Sequence, residues 1–138
     1  MGNDDDQFAI SARSLTKVYR GKRRQTEKVA LHGIDLEVPR GSFFGLLGPN
    51  GAGKSTFINI LGGMTKKTAG TASVWGYNID REARRARASI GIVPQELHID
   101  AHFTPFEVLE FQAGFYGVPK CQRQTDAVLD ALGLTEQR

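Results

Sequence analysis

Residues 48–56 read Gly48-Pro49-Asn50-Gly51-Ala52-Gly53-Lys54-Ser55-Thr56 and fill every fixed position of the pattern G-x-x-x-x-G-K-[ST]. That pattern belongs to one local geometry, a glycine-rich turn leading from a strand into a helix. A triphosphate is a polyanion, so its site needs many donors converging on one point. Backbone N–H groups from about Gly51 to Thr56 are expected to form a concave nest. Gly51 and Gly53 keep side chains out of its approach, and the helix opening near Lys54 aims its positive end there. Charge-assisted hydrogen bonds contribute about 1.5–3 kcal/mol each, against about 0.3–1 kcal/mol for an exposed helix dipole. The nest therefore dominates. Lys54 is a point charge for the β- and γ-phosphates, the Ser55 hydroxyl is a ligand for Mg²⁺, and Thr56 reaches the α-phosphate. The rival dinucleotide fingerprint G-x-G-x-x-G fails, because Thr56 stands where its third glycine belongs.

The flanks supply the context the loop requires. Phe43-Phe44-Gly45-Leu46-Leu47 is an apolar run of the kind found in strands covered on both faces of a parallel sheet. Residues 54–64 repeat Phe57, Ile58, Leu61 and Met64 at helical spacing, with Gly62-Gly63 near the end. Upstream, residues 8–19 (Phe8, Ile10, Leu15, Val18) and 29–38 (Leu31, Ile34, Leu36, Val38) read as two strands. The alternation of the first is imperfect. A polar turn at 21–27 joins them into an antiparallel hairpin. Downstream the expectations are a strand at 71–75, a helix at 81–89 with Ala83, Ala86 and Ile90 on one stripe, a short buried strand at 91–94 and a loop at 96–103. Thr104-Pro105-Phe106-Glu107 has the form of a capping box and opens a helix to about Tyr116. A last helix, 122–132, stacks Val128, Leu129 and Leu132 and ends at Gly133. The fold class is α/β.

Composition narrows the rest. The chain has 138 residues, with 40% hydrophobic and 24% charged residues, an ordinary globular balance for one domain. A net charge of +3 is too weak to argue for nucleic acid. The single cysteine, Cys121, excludes an internal disulfide and fits a reducing compartment. No apolar run reaches the roughly 18 residues of a membrane helix. Residues 1–7 read as a flexible acidic leader (Asp4, Asp5, Asp6). They lack the apolar core of a signal peptide, and Asp6 stands where myristoylation wants Ser or Thr.

The order of these features, from about Phe8 to Arg138, resembles the N-terminal part of an ATP-binding cassette (ABC) transporter ATP-binding subunit. The hairpin precedes the loop, as in that family. Val18-Tyr19 stands where the family places an aromatic residue that stacks on adenine. Lys67-Thr68-Ala69-Gly70-Thr71 and Val74-Trp75-Gly76 look like its strand after the loop's helix. Gly91-Ile92-Val93-Pro94-Gln95 looks like its Q-loop. Thr104 to Gly117 further resembles the ABC-2 type exporters. The resemblance implies a P-loop NTPase of the ABC type with an antiparallel β subdomain and, in residues 96–138, the Q-loop and the start of a helical subdomain. It implies binding of ATP with Mg²⁺, the metal held by Ser55 and Gln95, and Gln95 sensing both the metal and the attacking water. It also implies a transmembrane permease subunit and a second ATP-binding subunit in a homodimer as partners, on the cytoplasmic face of the membrane, with no nucleic acid.

The family's signature of the L-S-G-G-Q type and its Asp-Glu strand have no counterpart in the sequence. Leu61-Gly62-Gly63-Met64 and Val128-Leu129-Asp130 only echo them. The expectation is a truncated ABC domain that binds ATP without hydrolysing it alone. Three other constellations are weaker. His98 and His102 flank Asp100 with no fourth metal ligand nearby. Lys22-Arg23-Arg24 and Arg81, Arg84, Arg85, Arg87 are basic clusters, the second reading as the wet face of a helix. Asp130-Ala131-Leu132-Gly133 matches the D-x-x-G of a GTPase switch, but no N-K-x-D follows. A GTPase-type switch and a soluble ABC ATPase acting on nucleic acid or the ribosome remain the alternative functions.

Overall fold

The computed structural model describes residues 7–21, 26–93 and 102–137. These fall into two compact units divided after Ile92.

In the first unit, strands β1 (Phe8–Arg20) and β2 (Glu27–Pro39) form the expected antiparallel hairpin. β3 (Ala69–Val74) pairs with the other edge of β1, and the short β4 (Tyr77–Asn78) pairs with β3, giving the order β2-β1-β3-β4. The β3–β4 turn is made by Trp75 and Gly76, both at positive φ, 52° and 82°. One side of this sheet carries the core. Ala12, Leu15, Leu31, Ala72 and Val74 pack with Phe57, Ile60 and Leu61 of helix α1 (Lys54–Leu61) and with Ala86 of helix α2 (Ala83–Ala88). The α2 arginines behave as expected of a wet face, with Arg84, Arg85 and Arg87 exposed and Ala83 half-buried.

The imperfect alternation of β1 has a structural cause. Ile10 and Ala12 face the core, and so does Leu15 three positions on. Strict alternation forbids this, because successive side chains point to opposite faces. The parity changes at a bulge centred on Ser14, whose φ is 48° and where the register to both neighbours shifts. The Ser14 N–H donates to Asp35 Oδ1 at 2.7 Å, which pins the irregular peptide to β2. On β3 the facing residue is Gly70, at φ 83°, where a Cβ would run into the carbonyl oxygens of Arg13 and Ser14. β2 makes a matching change at Gly33, φ 70°, between core-facing Leu31 and core-packed Ile34.

Three expectations need correction. Residues 43–47 form no strand: Phe43 and Leu47 are 104% and 93% exposed. An apolar run becomes a strand only when a neighbour accepts its backbone hydrogen bonds, and among the described residues every strand pairing is antiparallel and lies elsewhere. Residues 91–93 are likewise irregular, with Val93 exposed, for the same reason. On α1 the buried stripe is Phe57, Ile60 and Leu61, while Ile58 and Met64 are exposed. The helix stops at Leu61, and Gly63 at φ 72° turns the chain away before Met64.

In the second unit, helix α3 (Pro105–Phe115) opens with the expected capping box. The Thr104 N–H donates to Glu107 Oε2 at 2.9 Å and the Glu107 N–H to Thr104 Oγ1 at 3.3 Å. Helix α4 (Thr125–Ala131) starts later than expected and buries Leu129, leaving Val128 and Leu132 exposed. The delay has a cause. Arg123 is extended, and its side chain is committed to Glu110 of α3, Nη1 to Oε2 at 2.6 Å, and to the Val118 carbonyl at 3.1 Å. Thr125 Oγ1 donates to the other Glu110 oxygen. The Thr125 hydrogen bond, followed by that of Arg123, holds the Glu110 carboxyl below its ordinary range.

A carboxyl lowered on folding adds stability that is fully present above its unfolded value, about 4.3, and is lost as pH falls through the lower folded value. Glu110→Gln is therefore expected to lower the thermal midpoint of the helical signal at pH 7. The gap to the unchanged chain should narrow as pH drops below about 4.3, as circular dichroism melts at several pH values would show.

Candidate functional site

The loop at 48–56 joins β2, by way of residues 40–47, to α1. Gly53 is the N-cap of α1 at φ 89° and ψ 1°, and Gly51 is at φ 87°. Both lie in the left-handed region that glycine alone enters freely. They differ in surroundings. A Cβ on Gly51 would meet nothing, whereas one on Gly53 would strike the Ala30 carbonyl and come within 2.7 Å of Leu31 Cδ2. Gly53 thus permits the start of α1 to lie directly against β2. The first hydrogen bond of α1 runs from the Phe57 N–H to the Gly53 carbonyl at 2.8 Å. The N–H groups of Lys54, Ser55 and Thr56 precede it and lie at the helix's positive end.

Lys54 folds back along the loop. Its ammonium donates to the Pro49 carbonyl at 2.8 Å and to the Gly48 carbonyl. The Ala52 N–H closes a turn on the Pro49 carbonyl at 3.2 Å. Asn50 and Ser55 are exposed at the surface, and Thr56 is half-buried. Two glycines at positive φ, a lysine laid across the loop and three successive N–H groups opening a helix bring together the kinds of donor that a phosphate group accepts from. Ser55 contributes a free-standing hydroxyl oxygen suited to a hard cation such as Mg²⁺.

The hairpin tip lies next to the loop through β2. Lys17 of β1 pairs with Leu31, the residue whose side chain abuts Gly53, and Val18 pairs with Val29. Tyr19 is 41% exposed, with the Lys17 ammonium 4.7 Å from its ring centroid. The segment after α1 is stitched to the same stretch: Lys17 Nζ donates to the Lys66 carbonyl at 2.7 Å, the Thr68 N–H to the Thr16 carbonyl at 2.8 Å, and the Val18 N–H to Thr68 Oγ1 at 3.0 Å. Sequence reasoning selected Tyr19 and missed Lys17, although spacing of two residues on one strand placed both on one face. It also missed Ala30 and Leu31 as the support behind Gly53.

Gln95 lies outside the described residues, as do Lys22, Arg23, Arg24, His98 and Asp100. Among the described residues no group of three or more His, Cys, Asp and Glu side chains is placed to hold a metal ion. Asp130 is tied to Thr135 Oγ1 at 2.7 Å at the end of α4, far in sequence from the phosphate loop.

A family profile described as ABC transporter matches residues 31–138, most of the chain and the whole of the loop. The chain belongs to the ABC transporter family. The linearmycin resistance ATP-binding protein LnrL of Bacillus subtilis is 39% identical over 130 residues, covering 93% of this chain and 40% of that protein. Nod factor export ATP-binding protein I of Ralstonia nicotianae is 43% identical over 110 residues, 80% of this chain and 34% of that protein. Among solved structures, a dimeric ATP-binding cassette in a post-hydrolysis state bound to ADP and Pi aligns at TM-score 0.73 and 27% identity, covering 92% of this chain and 57% of that one. The chain therefore spans about a third to two fifths of the length of these curated relatives. The ABC fold assigned from the sequence is thus the fold observed, a partial α/β cassette with an antiparallel sheet beside the phosphate loop and its helix.

Gly53→Ala is expected to destabilise this ABC chain more than Gly51→Ala. Each pays about 1–2 kcal/mol for a left-handed non-glycine residue, and only the first also collides with β2. Urea denaturation of the two variants side by side gives the comparison.

Proposed function

We propose that this chain is the nucleotide-binding portion of an ABC transporter ATP-binding subunit and that it binds Mg-ATP. The cradle at 48–56 carries this reading. Backbone N–H groups of the loop and of the first turn of α1 hold the phosphates, Lys54 neutralises the outer two, Ser55 offers its hydroxyl to Mg²⁺, and Thr56 hydrogen-bonds the inner phosphate. Gly48, Pro49, Asn50 and Ala52 shape the loop that presents these donors. Tyr19, exposed at the hairpin tip, takes the adenine ring. Gln95 completes the metal site by resemblance to the family. ATP brings the energy of its terminal phosphoanhydride; the residues named here bind and orient it.

In the whole protein, two such subunits would pair and drive a membrane permease from its cytoplasmic side. The names of LnrL and the Nod factor protein, one a resistance protein and one an exporter, favour export as the direction. Among the described residues no helix is long and apolar enough to cross a membrane.

Charge-assisted contacts of about 1.5–3 kcal/mol set the expected cost of removing the lysine. Lys54→Met should weaken ATP binding roughly 10- to 100-fold by calorimetric titration in Mg²⁺ buffer. Equal affinity of the variant would remove the cradle from the site, and clear preference for GTP would favour the GTPase switch.

A further inference from the structure

Lys17 has two attachments that a solvent-facing lysine would lack. Its ammonium is anchored on the Lys66 carbonyl at 2.7 Å and stands 4.7 Å from the centre of the Tyr19 ring. The ring is held from that side while 41% of the residue remains open to solvent. Leu15, Lys17 and Tyr19 alternate on one face of β1 beyond the Ser14 bulge, and Leu15 is fully buried against α1 on that face. The cation and the ring therefore lie on the side of the sheet that carries the phosphate loop's helix.

We infer that Lys17 is a positioning residue for nucleotide binding, holding the Tyr19 ring and polarising it to receive an electron-rich purine on its open face. The inference rests on the reading that Tyr19 stacks on the base. A cation against one face of an aromatic ring withdraws π density toward itself. The opposite face becomes a better platform for adenine, whose own ring is electron-rich. The Lys66 carbonyl fixes the ammonium, and Thr68, bonded to Thr16 and Val18, fixes the segment bearing that carbonyl. Tyr19 thereby acquires a defined orientation on an otherwise exposed strand end. The cation does not need to touch the nucleotide for this, which separates its role from that of Lys54.

The test titrates the purified chain with ATP and, separately, with inorganic tripolyphosphate, which has the phosphates and no base. Lys17→Met is expected to weaken ATP binding about two- to fivefold, the range of an exposed cation–π contact, and to leave tripolyphosphate binding unchanged. Lys17→Arg should restore ATP affinity. Tyr19→Ala should weaken ATP binding about fivefold or more, the loss of one base–aromatic stack. Adding Lys17→Met to Tyr19→Ala should then have no further effect. If Lys17→Met leaves ATP affinity intact while Tyr19→Ala lowers it, the role of Lys17 is refuted and the stacking reading stands. If Lys17→Met weakens both ligands equally, Lys17 acts on charge or folding and the inference is overturned. If Tyr19→Ala has no effect on ATP, the stacking reading fails and takes the inference with it.

Discussion

The close approach of Gly53 to the backbone of β2 is the contact on which the arrangement of the site depends. Only a residue without Cβ leaves room for the Ala30 carbonyl and the Leu31 side chain at that point. Because α1 begins there, its first turn is locked to the sheet and its buried residues, Phe57, Ile60 and Leu61, meet Leu15 and Leu31 in one core. The direction of the helix N-terminus, and so of its free N–H groups, follows from that packing. A loop of the same sequence without this buttress would still bend, but the direction of the α1 N-terminus would no longer be set by the sheet.

The loop was the part of the site most legible in the sequence, because its chemistry is specified by spacing alone. Gly51 and Gly53 lie at positive φ, a geometry their spacing makes readable, whereas the return of Lys54 onto the Pro49 carbonyl is visible only in the structure. The capping box at Thr104 was equally readable, since both partners are three residues apart on one turn. What escaped the sequence depends on partners distant along the chain. Ser14 is an ordinary residue in a rare conformation, and nothing local announces that Asp35 and Gly70 will hold it there. The late start of α4 is set by Glu110, thirteen residues before Arg123.

Residues 43–47 show the same limit from the other side. Their apolar pattern describes what the segment is suited to, a strand covered on both faces. Whether it becomes one is decided by neighbours. Similarly, β4 was not anticipated because two residues give no periodicity. Its only local signal was the Trp75-Gly76 pair, which the structure shows to be the hairpin turn before Tyr77. Local geometry was legible where it was self-contained and misread where a hydrogen-bond partner had to be supplied from elsewhere.

The Ser14 bulge makes residue number, rather than residue type, the sensitive quantity at the hairpin tip. Before it, core-facing positions on β1 are even; after it they are odd. Tyr19 is on the α1 side only because one extra residue has been absorbed. Conservative substitutions along residues 16–20 would leave that parity intact, but loss or gain of a single residue would rotate the whole tip by half a turn. Val18 would then occupy the side now held by Tyr19, and Lys17 would point away from the Lys66 carbonyl. A strand end that looks like an exposed, permissive edge is thus an indexed one, intolerant of insertion where it is tolerant of change.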